Sequence, residues 1–214
     1  MLKYKVNRDP YDDGILFTGK LQREIKPGLT ILVGCNGAGK TTVLHAIEGA
    51  YKNNSDYLII YWNGLTDKHY TKDRALMTQR FDVLSSLMCS SEGEEININI
   101  GIVAQQIGNS VRNNEDKDII ILFDGLDSGL SIDNIIDTKD FFKNLVIPDV
   151  ERSGHNCYVI ISANEYELAN GELCIDVRNG KEIRFSSYED YKRFILDSKK
   201  KKDNRKPIHR KGED

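Results

Sequence analysis

One short stretch restricts the fold more than any other part of the chain. Residues 30–42 read Thr-Ile-Leu-Val-Gly-Cys-Asn-Gly-Ala-Gly-Lys-Thr-Thr, which joins an apolar segment, a glycine-rich turn and a Lys-Thr pair. Their spacing matches G-x-x-x-x-G-K-[ST], in which backbone N–H groups surround phosphates, the lysine reaches the β- and γ-phosphates and the threonine hydroxyl ligates Mg²⁺. The sequence therefore predicts a nucleotide site within an α/β fold.

The residues that flank this loop have the patterns of a strand and a helix. Residues 31–33 form a short apolar run, and residues 42–51 continue as a helix with Val43, Ile47 and Ala50 at helical spacing. A loop placed between a strand and a helix N-terminus meets the unpaired N–H groups of the first helical turn, which favour anions. The predicted ATP-binding residues of the loop are Gly34, Asn36, Gly37, Gly39, Lys40, Thr41 and Thr42.

The loop also resembles the Walker A motif of ATP-binding cassette ATPases, whose third residue is usually Asn, as Asn36 is here. The resemblance implies further motifs in a fixed order. A second apolar run, residues 119–123, ends in Asp124 and has the form of a Walker B motif, which would bring a carboxylate close to Mg²⁺. Thr41 and Asp124 are therefore the predicted metal-site residues. A core strand that ends in Asp by chance is the alternative.

Residues 90–94, Ser-Ser-Glu-Gly-Glu, resemble a degenerate form of the family's signature loop, Leu-Ser-Gly-Gly-Gln. Ser91 and Gly93 occupy its Ser and second Gly positions, so the resemblance implies that they contact the γ-phosphate of nucleotide bound to a partner subunit. Ser91 followed by Glu94 is also a capping box, and apolar residues at helical spacing come next. A helix cap without any role in nucleotide binding is the alternative.

Two departures from the family pattern concern hydrolysis. Active cassettes carry a glutamate directly after the Walker B aspartate, whereas this chain has Gly125, which cannot act as a base. After the apolar run 157–163, where the family carries a switch histidine, this chain has Asn164, which donates hydrogen bonds but carries no charge. Asp127 is a candidate substitute base, or a residue of the turn that follows. The catalytic candidates are Asp124, Asp127 and Asn164, and we expect slow hydrolysis.

The stretch Asp-Ser-Gly-Leu-Ser at residues 127–131 is similar to the D-loop of recombination, repair and defence cassettes. In that family the loop crosses a dimer interface, so Ser128, Gly129 and Ser131 are interface candidates. Ser131 is also a candidate N-cap for a helix over residues 132–145.

The intervals between the motifs are short. Lys40 and Ser91 are 51 positions apart, and Lys40 and Asp124 are 84 positions apart. They leave little room for an extended helical lobe and none for coiled-coil arms. Together with the D-loop, they make the chain more similar to the SMC/RecF-like repair and defence branch than to transporter cassettes. Either Asn63 or Gln79 is the candidate for the glutamine-loop position, which senses Mg²⁺ in the family.

The remaining segments complete an expected fold of one domain over residues 1–197. The N-terminal thirty residues resemble the family's antiparallel β-subdomain, in which Tyr11 or Phe17 stacks on adenine or is ordinary core. A hairpin around Asn179-Gly180 and a helix over residues 188–196 follow. Eight Lys and Arg residues without an apolar pattern predict a basic, disordered tail at residues 198–214, which either binds nucleic-acid phosphates or only aids solubility.

Composition supports a domain with an ample core, because 39% of the 214 residues are hydrophobic. No apolar run approaches the ~18 residues of a membrane span, and the start lacks the apolar block of a signal peptide, so we expect a cytoplasmic protein. The predicted fold class is α/β, a P-loop NTPase core of cassette type with an N-terminal antiparallel β-subdomain and a shortened helical lobe.

The resemblance implies a head-to-tail homodimer closed by ATP and Mg²⁺. It would act as a switch in DNA repair, recombination or phage defence, with an effector protein as a further partner. An active ATPase of DNA metabolism and the nucleotide-binding subunit of a transporter are the alternatives.

Overall fold

A six-stranded, mainly parallel sheet lies at the centre of the structure, a computed structural model that describes residues 1–6, 21–63, 108–109, 116–127 and 130–204. The strands of this sheet follow the order β4-β5-β6-β3-β7-β8, and β1 and β2 form a separate two-stranded sheet. The strands are β1 (Leu2–Val6), β2 (Leu21–Ile25), β3 (Gly28–Val33), β4 (Tyr57–Asn63), β5 (Asp118–Asp124), β6 (Cys157–Ser162), β7 (Cys174–Asp176) and β8 (Lys181–Ile183). The helices are α1 (Lys40–Tyr51), α2 (Ile132–Phe141), α3 (Ile147–Arg152), α4 (Tyr166–Ala169) and α5 (Tyr188–Asp203).

The central strands are apolar on both faces, as parallel strands covered by helices must be. Along β5, Ile119, Ile121 and Phe123 face a cluster with residues of α2, α3, α4 and α5. The alternate residues of β5, Ile120 and Leu122, face a second cluster with α1 and the β1–β2 sheet. The predicted α/β class and the predicted strand before the phosphate loop are confirmed.

The N-terminal antiparallel pair is also confirmed. Strands β1 and β2 pair with Leu2 opposite Ile25 and Val6 opposite Leu21. Every second residue of β1 is buried, which gives the alternation of a sheet with one covered face. Tyr11 and Phe17, the adenine-stacking candidates, lie outside the described residues, as do the segment predicted as a short helical lobe and the sensor candidate Gln79.

Two helices differ in detail from the predictions. In α1 the buried residues are Val43, Leu44 and Ile47, whereas Ala50 is exposed and the next residue, Tyr51, packs against the core instead. The helix predicted over residues 132–145 continues as a π-helical turn, Phe142–Val146, and then as α3. Ser131 occupies the N-cap position of α2, but its side chain makes no capping hydrogen bond.

The last helix is longer than the sequence indicated. It begins at Tyr188, where the Asp190 N–H donates to the Ser187 hydroxyl, and it ends at Asp203 instead of residue 196. The prediction of disorder is therefore wrong for residues 198–203. Lysines in the last turn are favourable at the negative end of the helix dipole, and Ser198 is buried against the rest of the protein. Residues 205–214 of the predicted tail lie outside the described part of the chain.

No helix within the described residues has both the length and the apolar character needed to cross a membrane.

Candidate nucleotide site

The phosphate loop lies where the sequence predicted it. Strand β3 ends at Val33, the loop occupies residues 34–39, and α1 begins at Lys40. Gly39 is the N-cap residue and has a φ of 97°, a left-handed conformation that favours glycine. As glycine, Gly39 offers no side-chain acceptor to the first-turn N–H groups, so these donors and the positive end of the helix dipole are available to an anion.

Lys40 is folded against the start of its own loop. The Lys40 ammonium donates a hydrogen bond of 2.8 Å to the Gly34 carbonyl. Burial lowers the pKa of Lys40, and the negative charges of Asp127 and Asp124 act in the opposite direction. A phosphate would offer this partly desolvated ammonium a stronger partner than a neutral carbonyl, because hydrogen bonds between charged groups are roughly twice as strong.

The order of the strands brings three polar side chains together. Strand β6 lies between β3 and β5, and all three are parallel, so their carboxyl ends meet at one edge of the sheet. Asp124 at the end of β5 accepts hydrogen bonds from the Thr41 hydroxyl at 2.7 Å and from the Ser162 hydroxyl at 2.6 Å. One hydroxyl contacts each carboxylate oxygen, which fixes the orientation of the Asp124 side chain.

Ser162 also supports the backbone next to Asp124. The Gly125 N–H donates to the Ser162 hydroxyl oxygen at 2.9 Å, and Ser162 is only 1% exposed. The sequence interpretation missed Ser162. A signal was present, since Ser162 is a small polar residue at the end of an otherwise apolar buried strand, but its neighbour on the next strand was not visible from the sequence.

The donor set around Asp124 fits Mg²⁺. Thr41 and Asp124 present a hydroxyl and a carboxylate oxygen in direct contact, and Mg²⁺ prefers oxygen ligands. Among the described residues there is no group of three or more His, Cys, Asp or Glu side chains suited to hold a metal ion. A site with one or two protein ligands, completed by phosphate and water oxygens, is typical of Mg²⁺.

Gly125, in the position of the missing glutamate, has a φ of 68°. A residue with a Cβ in this left-handed conformation is strained by about 1–2 kcal/mol. The backbone at this position therefore favours glycine, and the position next to Asp124 supplies no side chain to the site.

Asp127 lies in the turn after β5 and is held by hydrogen bonds from the turn before α4. It is 4% exposed and accepts hydrogen bonds from the backbone N–H groups of Asn164 and Glu165 and from the Asn164 side-chain amide. Both carboxylate oxygens are thus engaged, which supports the turn role that the sequence left open and gives a substitute base no geometric support. Asn164 is anchored further by Tyr191, whose hydroxyl donates to the Asn164 carbonyl at 2.8 Å.

An open cavity of about 380 Å³ lies over the loop. It is lined by Asn36, Gly37, Ala38, Gly39, Lys40, Thr41, Thr42, Asp124, Gly125, Ser162 and Asn164. The structure thus brings most of the predicted loop, metal and catalytic residues to one cavity. Gly34 and Asp127 are not part of its lining. The Gly34 carbonyl accepts a hydrogen bond from Lys40, and Asp127 accepts one from the Asn164 side chain.

Of the other predicted residues, some lie within the described part of the chain and some do not. Asn63, a candidate sensor, is the last residue of β4 and pairs in register with Asp124 on β5. The signature-loop candidates Ser91 and Gly93, and the D-loop candidates Ser128 and Gly129, lie outside the described residues. Their roles stay predictions.

A family model described as ABC transporter matches residues 20–141, more than half of the chain. The comparison with curated proteins gave no match. Among solved structures, Cdc6p from Pyrobaculum aerophilum is 19% identical, with a TM-score of 0.37, and the match covers 81% of this chain and 43% of that one. The ORC2 protein of Aeropyrum pernix is 11% identical, with a TM-score of 0.33 and coverages of 67% and 36%. The chain therefore spans less than half the length of either structure, and at these TM-scores neither supports an argument about function.

Proposed function

Because the chain belongs to the ABC transporter family, we propose that it is an ATP-binding domain that works as an ATP-gated switch with slow or partner-dependent hydrolysis. The observation that carries this proposal is the contrast within one cavity. Lys40, Thr41 and Asp124 provide what binding of MgATP requires, whereas Gly125 leaves the position of the catalytic glutamate without a side chain.

In this proposal the triphosphate lies on the loop of residues 34–42. The N–H groups of the loop and of the first turn of α1 donate to phosphate oxygens, and the Lys40 ammonium leaves the Gly34 carbonyl to contact the phosphates. Thr41 and Asp124 would hold Mg²⁺, which neutralises phosphate charge when it is bound. Ser162 keeps the Asp124 carboxylate turned toward Thr41.

Slow hydrolysis follows from what the described lining of the cavity lacks. A positioned general base contributes typically 10²- to 10⁴-fold to a rate. Gly125 provides none, and the Asn164 amide that lines the cavity cannot take up a proton at neutral pH. Asp127 remains a catalytic candidate only if its hydrogen bonds to Asn164 and Glu165 are broken.

We further propose that MgATP closes a head-to-tail homodimer, in which Ser91 and Gly93 of one subunit contact the nucleotide of the other. The family resemblance supports this arrangement. Near the D-loop candidate Ser131, two apolar side chains of α2, Ile132 and Ile136, are 61% and 40% exposed. They lie four residues apart on one helix face, which is a pattern suited to contact with a second subunit.

The pathway is proposed from the D-loop sequence alone. Similarity of residues 127–131 to repair and defence cassettes supports a role in DNA repair, recombination or phage defence, with an effector protein as partner. Lys199 and Lys200, together with the basic residues at 205, 206, 210 and 211, would contact nucleic-acid phosphates. A transporter subunit is the second candidate, which the description of the matching family model favours. That candidate predicts copurification with a membrane permease.

The test combines oligomeric state and turnover on purified protein. Light scattering with Mg²⁺ and ATP should show a dimer that is absent without nucleotide and absent in Lys40→Ala. Steady-state hydrolysis should be slow in the same sample. Rapid turnover by the wild type alone, lost in Asp127→Asn, would favour a conventional ATPase, and a protein that stays monomeric with bound MgATP would refute the switch.

A further inference from the structure

The last helix, α5, contacts the phosphate loop although the two segments are far apart in the chain. Ser198 is fully buried, and its hydroxyl oxygen accepts a hydrogen bond of 3.3 Å from the Cys35 N–H. Lys202, one helical turn later on the same face, donates from its ammonium to the Asn36 carbonyl at 2.8 Å. Two consecutive loop residues are therefore held by one face of α5.

The contact of Lys202 extends to the middle of the loop. Its ammonium nitrogen lies 3.2 Å from the point that a Cβ on Gly37 would occupy. Gly37 lines the cavity and has a left-handed φ of 71°. Lys202 itself is not among the residues that line the cavity, so it contacts the loop from outside the space available to phosphates.

The rest of α5 is anchored independently of the loop. Asp197 accepts from Lys201 at 2.8 Å and lies 3.7 Å from an Arg178 guanidinium nitrogen. Tyr191, near the start of the helix, is buried and bonded to the Asn164 carbonyl. Neighbouring lysines of one helical turn thus have different partners, since Lys201 pairs with Asp197 and Lys202 with the loop.

We propose that Ser198 and Lys202 are positioning residues of the nucleotide site, so that phosphate binding and the order of the last turn of α5 are coupled. The inference rests on the nucleotide binding proposed above. A loop that is already held in its binding conformation loses less entropy when a ligand binds, which raises affinity. Coupling between two sites is reciprocal, so bound nucleotide must in turn stabilise the Lys202 end of the helix.

The first measurement is the affinity for a fluorescent ATP analogue with Mg²⁺. Lys202→Met removes the hydrogen bond to Asn36 and should weaken binding by about threefold to tenfold, the effect of one partly exposed charged hydrogen bond. Lys202→Arg keeps a charged donor and should bind within about twofold of wild type. Lys201→Met is the matched control, because it removes the same charge one residue away and leaves the loop contact intact.

The second measurement separates positioning from a general effect on the fold. Amide hydrogen exchange in the last turn of α5 should slow when MgATP binds to wild type, and should respond less in Lys202→Met. Thermal unfolding without nucleotide shows whether the variants are folded to the same extent.

Wild-type affinity in Lys202→Met, or the same loss in Lys201→Met, would refute the positioning role and leave the proposed nucleotide site intact. A wild-type protein that binds no nucleotide would refute the proposed function itself, and this inference with it.

Discussion

Replacing Ser162 by Ala tests the network around Asp124 most directly. The change removes the donor to Asp124 and leaves the Gly125 N–H without its acceptor. An unsatisfied buried donor costs about 1–3 kcal/mol, and a hydrogen bond to a charged group contributes about 1.5–3 kcal/mol. Asp124 is half-buried and keeps its bond from Thr41, so water and Thr41 offset part of the second loss. We therefore expect a combined loss of about 2–3 kcal/mol in the free energy of unfolding.

Urea unfolding without nucleotide measures this loss, and with an m value of about 2–3 kcal/mol/M the midpoint should fall by about 1 M. Cys157→Ala is the matched control, because it removes one heavy atom from a buried position at the other end of the same strand. Its cost should be about 1 kcal/mol, from lost packing only.

The functional part of the same prediction concerns the metal. Without Ser162 the Asp124 carboxylate is free to rotate, so affinity for ATP with Mg²⁺ should fall about tenfold, the effect of one charge-assisted contact. Affinity for ATP in a chelator should stay unchanged. A destabilisation no greater than that of Cys157→Ala, together with unchanged Mg²⁺-dependent affinity, would refute the network as the device that orients Asp124.

Three further predictions follow from Lys40 and Gly125. Lys40→Ala should abolish binding of a fluorescent ATP analogue while the circular dichroism spectrum stays that of the wild type. The reason is that, among the described residues, Lys40 carries the only ammonium group that lines the cavity. Unchanged affinity would show that Lys40 is not part of the site. Nucleotide affinity should also fall as pH rises, and the fall should begin at a lower pH than that at which an ordinary lysine loses its proton. In the protein without nucleotide, burial lowers the pKa of Lys40. Bound phosphates favour the charged ammonium, so nucleotide binding at a pH above that pKa requires the uptake of a proton by Lys40. A titration from neutral to alkaline pH that shows constant affinity would contradict this. Gly125→Glu should raise turnover by roughly tenfold to a thousandfold, at a strain cost of about 1–2 kcal/mol from the left-handed φ. A folded, ATP-binding variant with unchanged turnover would show that another group supplies the base.

The parts of this protein that could be predicted from its sequence depend on interactions between residues that are close in the chain. The phosphate loop follows from the spacing of Gly34, Gly39 and Lys40, because the backbone conformations and the helix start that it needs are set by adjacent residues. The hairpin at Asn179-Gly180 and the strand ending in Asp124 follow for the same reason, since turn chemistry and hydrophobic periodicity act over a few residues.

The contacts between side chains that are distant in the chain depend on how whole strands and helices pack. Ser162 contacts Asp124 because β6 lies between β3 and β5, an order that depends on packing of whole strands. Asp127 accepts hydrogen bonds from Asn164 and Glu165, which follow it by 37 and 38 residues in the chain, so the sequence left its role open. Lys202 reaches Asn36 across 166 residues, and the basic composition that indicated a disordered tail gave no sign of it. Each of these contacts is a hydrogen bond between segments that only the folded core brings together. Composition and periodicity predict local secondary structure and do not predict such pairs.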